Sequence, residues 1–299
     1  MYGDFAEPVL LAGESRVRVA ASALSHLALG RASGTHYSAA GAFPFVAGVD
    51  GVGRLDDGSR IYFLALRPPY GSMAEYSVAR AGHFVAVPDA LDDVTAAAIA
   101  NPGMSSWAAL AERAKLQKGE TVLINGATGI SGRLAVQIAR HLGAKKVIAT
   151  GRNVEVLRMV GADVTIALGD DAAALEASFK KSFAEGVDVV IDYLWGKSAA
   201  AILSAGAKGG GDTAPLRFVQ IGALSGPEIA LPAAALRASA IMLMGSGLGS
   251  VKLERLLASI SGVLQAASGF TIAAAPIPLS QVAQAWSMQD SAHRTVFTL

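Results

Sequence analysis

From Thr121 onward the chain alternates short apolar runs with segments of helical period. "TVLIN" (121–125), "KVIAT" (146–150), "VTIAL" (164–168), "VDVVIDYL" (187–194), "RFVQIG" (217–222) and "AIMLMG" (240–245) are largely apolar and short. Runs of that kind predict strands buried on both faces. Between them the pattern predicts helices over Gly129–Leu142, Val154–Val160, Asp171–Phe183 and Lys197–Ala205. In the first of these, Leu134, Ile138 and Leu142 recur at fourfold spacing and define one apolar face. Strands alternating with helices predict an α/β domain, a doubly wound parallel sheet covered on both sides.

The first third has a different texture. "SRVRVAASAL" alternates and then turns, and "FVAGVDGVGRLDDGSRIYFLA" holds short apolar runs around an Asp57-Gly58 turn signal. "GSMAEYSVA" and "HFVAVP" read as further strands, giving an irregular β domain. After Asp92 the pattern is helical on either side of an expected break at Asn101-Pro102-Gly103. The tail, from Leu279, reads as a helix and a strand returning to the first domain. The expected division is 1–98 with 248–299 for the β-rich domain and 99–247 for the α/β domain.

Composition narrows the function. The chain has 299 residues, 52% of them hydrophobic and 16% charged, enough for two domains with a shared core and little disorder. Its formal net charge is +1, so total charge makes no case for nucleic acid or an anionic membrane. It has no cysteine, which excludes disulfides, thiolate catalysis and cysteine-ligated zinc. His26, His36, His83, His141 and His293 are scattered, so no metal is expected. The N-terminus has early acids and no long apolar core, unlike a signal peptide. The longest uncharged stretches are broken by residues such as Pro102, so no membrane span is expected and the protein is read as cytoplasmic.

The segment "INGATGISGRLAVQ" supplies the chemistry. It places a glycine turn between a strand and a helix, the order of a dinucleotide fingerprint. Ala127 takes the first glycine position, Gly129 the second and Gly132 the third. The second lets backbone approach a pyrophosphate, and the third lets helix and strand pack closely. Thr128 and Ile130 complete the turn, whose helix N-terminus would meet the phosphates. The next strand ends in Thr150, Gly151, Arg152 and Asn153, with no acid before Glu155. An acid there would repel a 2′-phosphate, whereas Arg152 could pair with one, so the expected cofactor is NADPH. Ile221, Gly222 and Ala223, and then Gly245, Ser246 and Gly247, end the last two strands, where such sheets bind ligands.

These stretches, with "NPGMSSWAAL", "SGTHY", "FPFVAGVDGVG", "GSMAEYSV" and "HRTVFTL", resemble the medium-chain dehydrogenase/reductase superfamily, and within it the zinc-independent quinone oxidoreductases. The resemblance covers nearly the whole chain. It implies a Rossmann domain inserted in a GroES-like catalytic domain, NADPH, a small-molecule substrate and a homodimer. That dimer would pair through the edge strand 240–245, which is apolar and uncharged. By the same resemblance, part of the family's N-terminal hairpin is expected to be short or missing. Val49 and Asp50 stand where zinc-dependent relatives carry a His-Glu pair.

The resemblance also marks a substrate pocket between the domains. Tyr37 matches a family tyrosine and is the candidate proton donor. A pocket asparagine position falls on Ser25 and another tyrosine position on Gly30. Tyr70, Asn101, Met104 and Leu248 are expected to line the pocket. Asp50 is expected to satisfy backbone amides inside the fold, His36 to be solvated, and Trp195 either to cover the adenine side or to pack. The activity implied is hydride transfer to a quinone or an α,β-unsaturated carbonyl. Alternatives are an enone or enoyl reductase that does not use quinones, and a non-catalytic NADPH-binding sensor or structural protein.

Overall fold

The computed structural model describes residues 2–35, 43–64, 66–209, 215–287 and 292–299. Tyr37 and His36 lie outside the described residues. The chain divides into two units, one of residues 1–102 and 256–299, the other of residues 103–255.

The first unit is built on β1 (Glu14–Ala23), which buries Val17, Val19 and Ala21 while Arg16 and Arg18 point outward. The short helix α1 (His26–Ala32) follows. β2 (Asp50–Leu55) and β3 (Arg60–Leu64) form a hairpin whose Asp57-Gly58 turn has Gly58 at φ +86°. The Asp57 carboxylate accepts the Ser59 N–H at 2.8 Å, as a turn aspartate does. β4 (Tyr76–Arg80) pairs with β1, and β5 (Phe84–Ala86) with β3. α2 (Asp93–Trp107) then begins.

α2 corrects one expectation. It runs unbroken through Asn101, Pro102 and Gly103. A proline inside a helix costs about 3 kcal/mol. Burial offsets that cost here, because Ala96 to Ala100 are completely buried. The widened turn comes later, as a π-helix over Ala108–Arg113.

The second unit opens with β6 (Thr121–Asn125) and α3 (Ile130–His141), then β7 (Lys146–Gly151), α4 (Val154–Met159), β8 (Val164–Ala167) and α5 (Ala172–Ala184). β9 (Val189–Asp192), α6 (Gly196–Gly209), β10 (Leu216–Gln220), α7 (Ala233–Arg237) and β11 (Ile241–Gly245) complete it. Every pair in its sheet is parallel. The order is β11-β10-β9-β6-β7-β8, the doubly wound arrangement with its switch point between β6 and β9. Leu123, Ile148, Val190 and Phe218 from four strands share one core with Phe179, Ile202 and Leu203 from the covering helices. On α3, Leu134 and Ile138 are buried.

α8 (Leu253–Ala266) leads back to the first unit, where β12 (Ala274–Pro278), α9 (Val282–Ala285) and β13 (Arg294–Thr298) lie. β13 pairs with β1, and β12 is an edge strand. The edge position suits Pro276 and Pro278, which donate no ladder hydrogen bond. No described helix is long and apolar enough to cross a membrane.

Candidate dinucleotide site

The turn between β6 and α3 is shaped by its glycines. Gly126 has φ +96°, a conformation side chains resist. A Cβ on Gly132 would sit 2.1 Å from the Gly126 carbonyl oxygen, so only glycine lets α3 approach β6. A Cβ on Gly129 would meet nothing within 4 Å. Gly129 is also the N-cap of α3, where unpaired amides and the helix dipole favour an anion. The turn is thus closed on the sheet side and open at Gly129, as a cradle for a phosphate must be.

The end of β7 is joined to this turn. The Ala127 N–H donates to the Thr150 carbonyl at 2.7 Å, and Gly126 N–H to Thr150 Oγ1 at 3.2 Å. Ala127 and Thr150 are fully buried, so both act through the fold. Arg152 is exposed, and no hydrogen bond or ion pair reaches it from the described residues. Asn153 caps α4 by accepting the Val156 N–H.

β9 ends in a polar knot. Asp192 is fully buried. Its carboxylate accepts from Asn125 Nδ2 at 2.7 Å, Leu194 N–H at 2.9 Å and Trp195 N–H at 3.1 Å. Burial pushes the Asp192 carboxyl upward, and these three donors oppose the shift. Trp195 has φ +58°. For a bulky residue this costs roughly 1–2 kcal/mol. A hydrogen bond to a charged acceptor returns about 1.5–3 kcal/mol. The indole packs edge-on to Phe218, with centroids 6.3 Å apart, so Trp195 belongs to the core.

The other strand ends converge on the same edge of the sheet. Ile221 and Gly222 N–H both donate to the Asp192 carbonyl, and a Cβ on Gly222 would lie 2.7 Å from the Tyr193 carbonyl oxygen. Ala223 follows, exposed. Arg113 Nε donates to the Gly245 carbonyl at 2.7 Å, and Ser246 N–H to the Gln220 carbonyl at 2.8 Å. Gly247 and Leu248 are exposed and Met104 is half-buried. Asn125 and Asp192 are the site residues that sequence reasoning missed. Their signal was a polar residue closing an otherwise apolar strand, in "TVLIN" and "VVID".

In the first unit, Ser25 Oγ caps α1 by accepting the Ala28 N–H at 3.0 Å, and Gly30 lies within that helix. The Tyr70 hydroxyl accepts the Val9 N–H at 3.2 Å, and its ring lies under the Arg67 guanidinium. Asp50 corrects another expectation. Its carboxylate binds side chains, accepting from Tyr62 Oη at 2.8 Å and Asn101 Nδ2 at 3.1 Å. Burial pushes the Asp50 carboxyl up, and nearby Arg294 opposes the shift. Asn101 is therefore held inside α2 by Asp50, with no helix break. Among the described residues, no group of three His, Asp or Glu is placed to hold a metal.

Comparison with known proteins agrees with this architecture. The chain is similar in sequence to quinone and enoyl reductases and in fold to quinone oxidoreductases. The family model described as zinc-binding dehydrogenase matches residues 131–262. That stretch holds no cysteine and a single histidine, His141. A probable NADPH-dependent quinone reductase, tdiC of Emericella nidulans, is 35% identical over 222 residues, 68% of this chain and 61% of its own length. The trans-enoyl reductase pgmF of Aspergillus terreus is 27% identical over 177 residues, 58% of this chain and 44% of its own. The chain thus spans less than two thirds of these curated relatives. Among solved structures, a mycobacterial quinone oxidoreductase superposes with a TM-score of 0.84 at 21% identity, covering 99% of this chain and 94% of that one. The quinone oxidoreductase of Thermus thermophilus, also solved with NADPH, gives 0.79 at 24% identity, covering 99% and 95%.

Proposed function

We propose that the protein is an NADPH-dependent oxidoreductase acting on a quinone or an α,β-unsaturated carbonyl. The observation that carries this reading is the glycine turn at the switch point, open at Gly129 and flanked by Arg152, which has no partner among the described residues. Bound there, the nicotinamide would supply a hydride. The chain's own part is to hold the pyrophosphate on the α3 N-terminus and the 2′-phosphate on Arg152. The strand ends at Gly222 and Gly245 would leave room for the nicotinamide half. Thr150, Gly151, Ala127 and Thr128 shape the site from below.

Catalysis in this reading is positioning without a metal, because the chain lacks cysteine. Tyr37 is assigned the proton donor through its family resemblance, with Ser25, Tyr70, Asn101, Met104 and Leu248 in the substrate pocket. The protein is assigned a cytoplasmic homodimer pairing through β11. The names of the relatives support both a quinone and an enoyl substrate. The test is the absorbance decay of NADPH with a simple quinone and, separately, with an enone. Decay with either supports the reading and selects the substrate class. NADPH binding with decay in neither assigns the chain to a sensor, and no binding overturns it.

A further inference from the structure

The phosphate turn, the end of β7 and the turn after β9 are three separate segments, yet one buried hydrogen-bonded chain runs through all of them. Thr150 Oγ1 accepts the Gly126 N–H and donates to Asn125 Oδ1 at 2.7 Å. Asn125 Nδ2 donates to Asp192 at 2.7 Å and to Ser198 Oγ at 2.9 Å. Asp192 in turn accepts the N–H groups of Leu194 and Trp195. Thr150, Asn125 and Asp192 are each completely buried. We propose that Asn125 and Asp192 are positioning residues that lock these segments into one unit. A dinucleotide would then meet a preset surface in place of three loops ordered on binding. The proposal rests on the dinucleotide reading above.

The chemistry leaves the knot one arrangement. An ionised carboxylate only accepts, so the amide of Asn125 must turn its NH₂ to Asp192 and its oxygen to Thr150. The hydroxyl of Thr150 must then give its proton to that oxygen, which leaves its lone pairs for Gly126. Reversing any one bond would set two donors or two acceptors face to face. The chain therefore transmits direction from the phosphate turn to Trp195, whose left-handed backbone needs the Asp192 carboxylate to hold it. A partly satisfied buried network is costly, so loss at one end should be felt at the other.

The experiment is amide hydrogen exchange on the full chain without cofactor, followed by NADPH titration. Thr150→Val removes the hydroxyl and keeps the shape. It should speed exchange at Leu194 and Trp195 about tenfold, the equivalent of one lost hydrogen bond, although Thr150 bonds to neither. Thr150→Ser restores the hydroxyl and should restore protection. Asp192→Ala should release Gly126, and Asp192→Asn, which keeps an accepting oxygen, should release it less. Thr150→Ala gives the same readout should the valine variant fail to fold. Faster exchange confined to Gly126, with Leu194 and Trp195 unchanged, would overturn the coupling. If coupling is seen but wild type does not bind NADPH, the network stands and the cofactor reading falls.

Discussion

Gly151 has no room for a side chain, because an added Cβ would stand 2.3 Å from Thr128 Cγ2. Thr128 belongs to the phosphate turn and Gly151 to the end of β7, so a residue enlarged on one strand presses directly on the other segment. Gly151→Ala is expected to cost about 1–3 kcal/mol, the range for overpacking. NADPH affinity should carry part of that loss. Thr128→Ser removes the clashing methyl and should recover much of it in the double variant. Calorimetric titration of the three variants checks this. Additive losses would mean that the two residues do not press on each other.

Asp50 makes stability depend on pH. Its carboxyl is held above the usual carboxylate range by burial, while Tyr62, Asn101 and Arg294 face it and favour the charged form. A raised folded value means that the folded chain prefers the protonated group. Its contribution is fully present below the unfolded value of 3.8 and is lost as pH rises through the folded value. Asp50→Asn removes the titration. The melting temperature of the variant minus that of wild type should therefore rise from pH 4 toward neutrality. A difference that is flat in pH would show that Asp50 does not titrate in this way.

How far the sequence could be read depends on which interactions set each element. β6, α3 and β7 were legible because apolar periodicity and glycine chemistry are local. α8 carries a comparable signal in Leu253, Leu256, Ile260 and Val263 but went unread beside the stronger motifs. The expected break at Pro102 failed because burial of Ala96 to Ala100 is a tertiary effect that outweighs the proline. The same holds for Asp50, whose partners Tyr62 and Asn101 are distant in sequence. The Thr150–Asn125–Asp192 chain was invisible for that reason too: it joins three strand ends that only the sheet order brings together.

β11 bears on assembly. It lies at the edge of its sheet, with Met242 49% and Leu243 39% exposed and no charged residue along it. An apolar edge without protection invites a second strand. The parent chain is expected to give a dimeric mass by light scattering at micromolar concentration, and Leu243→Lys a monomeric one. A monomeric parent would remove the assignment.

On the proposed function, Arg152 would decide between cofactors. It lies twenty residues after Gly132, near the offset at which this fold reads the adenosine ribose. It is exposed at the end of β7, and no acid stands between Thr150 and Val154 to take two ribose hydroxyls. Asn153 is already committed to capping α4. A charge-assisted contact from Arg152 to a 2′-phosphate should contribute roughly 1.5–3 kcal/mol. That is about ten- to hundredfold in affinity. Arg152→Ala should weaken NADPH by that order and leave NADH nearly untouched. Arg152→Lys should recover only part, because a lysine offers a point charge in place of a two-pronged donor. Added salt should weaken NADPH more than NADH in the parent chain and equally in the alanine variant, since the lost contact is ionic and exposed. Titrating both cofactors at two salt concentrations tests all three statements. Equal affinity for NADH and NADPH in the parent chain would assign the 2′-phosphate no reader here.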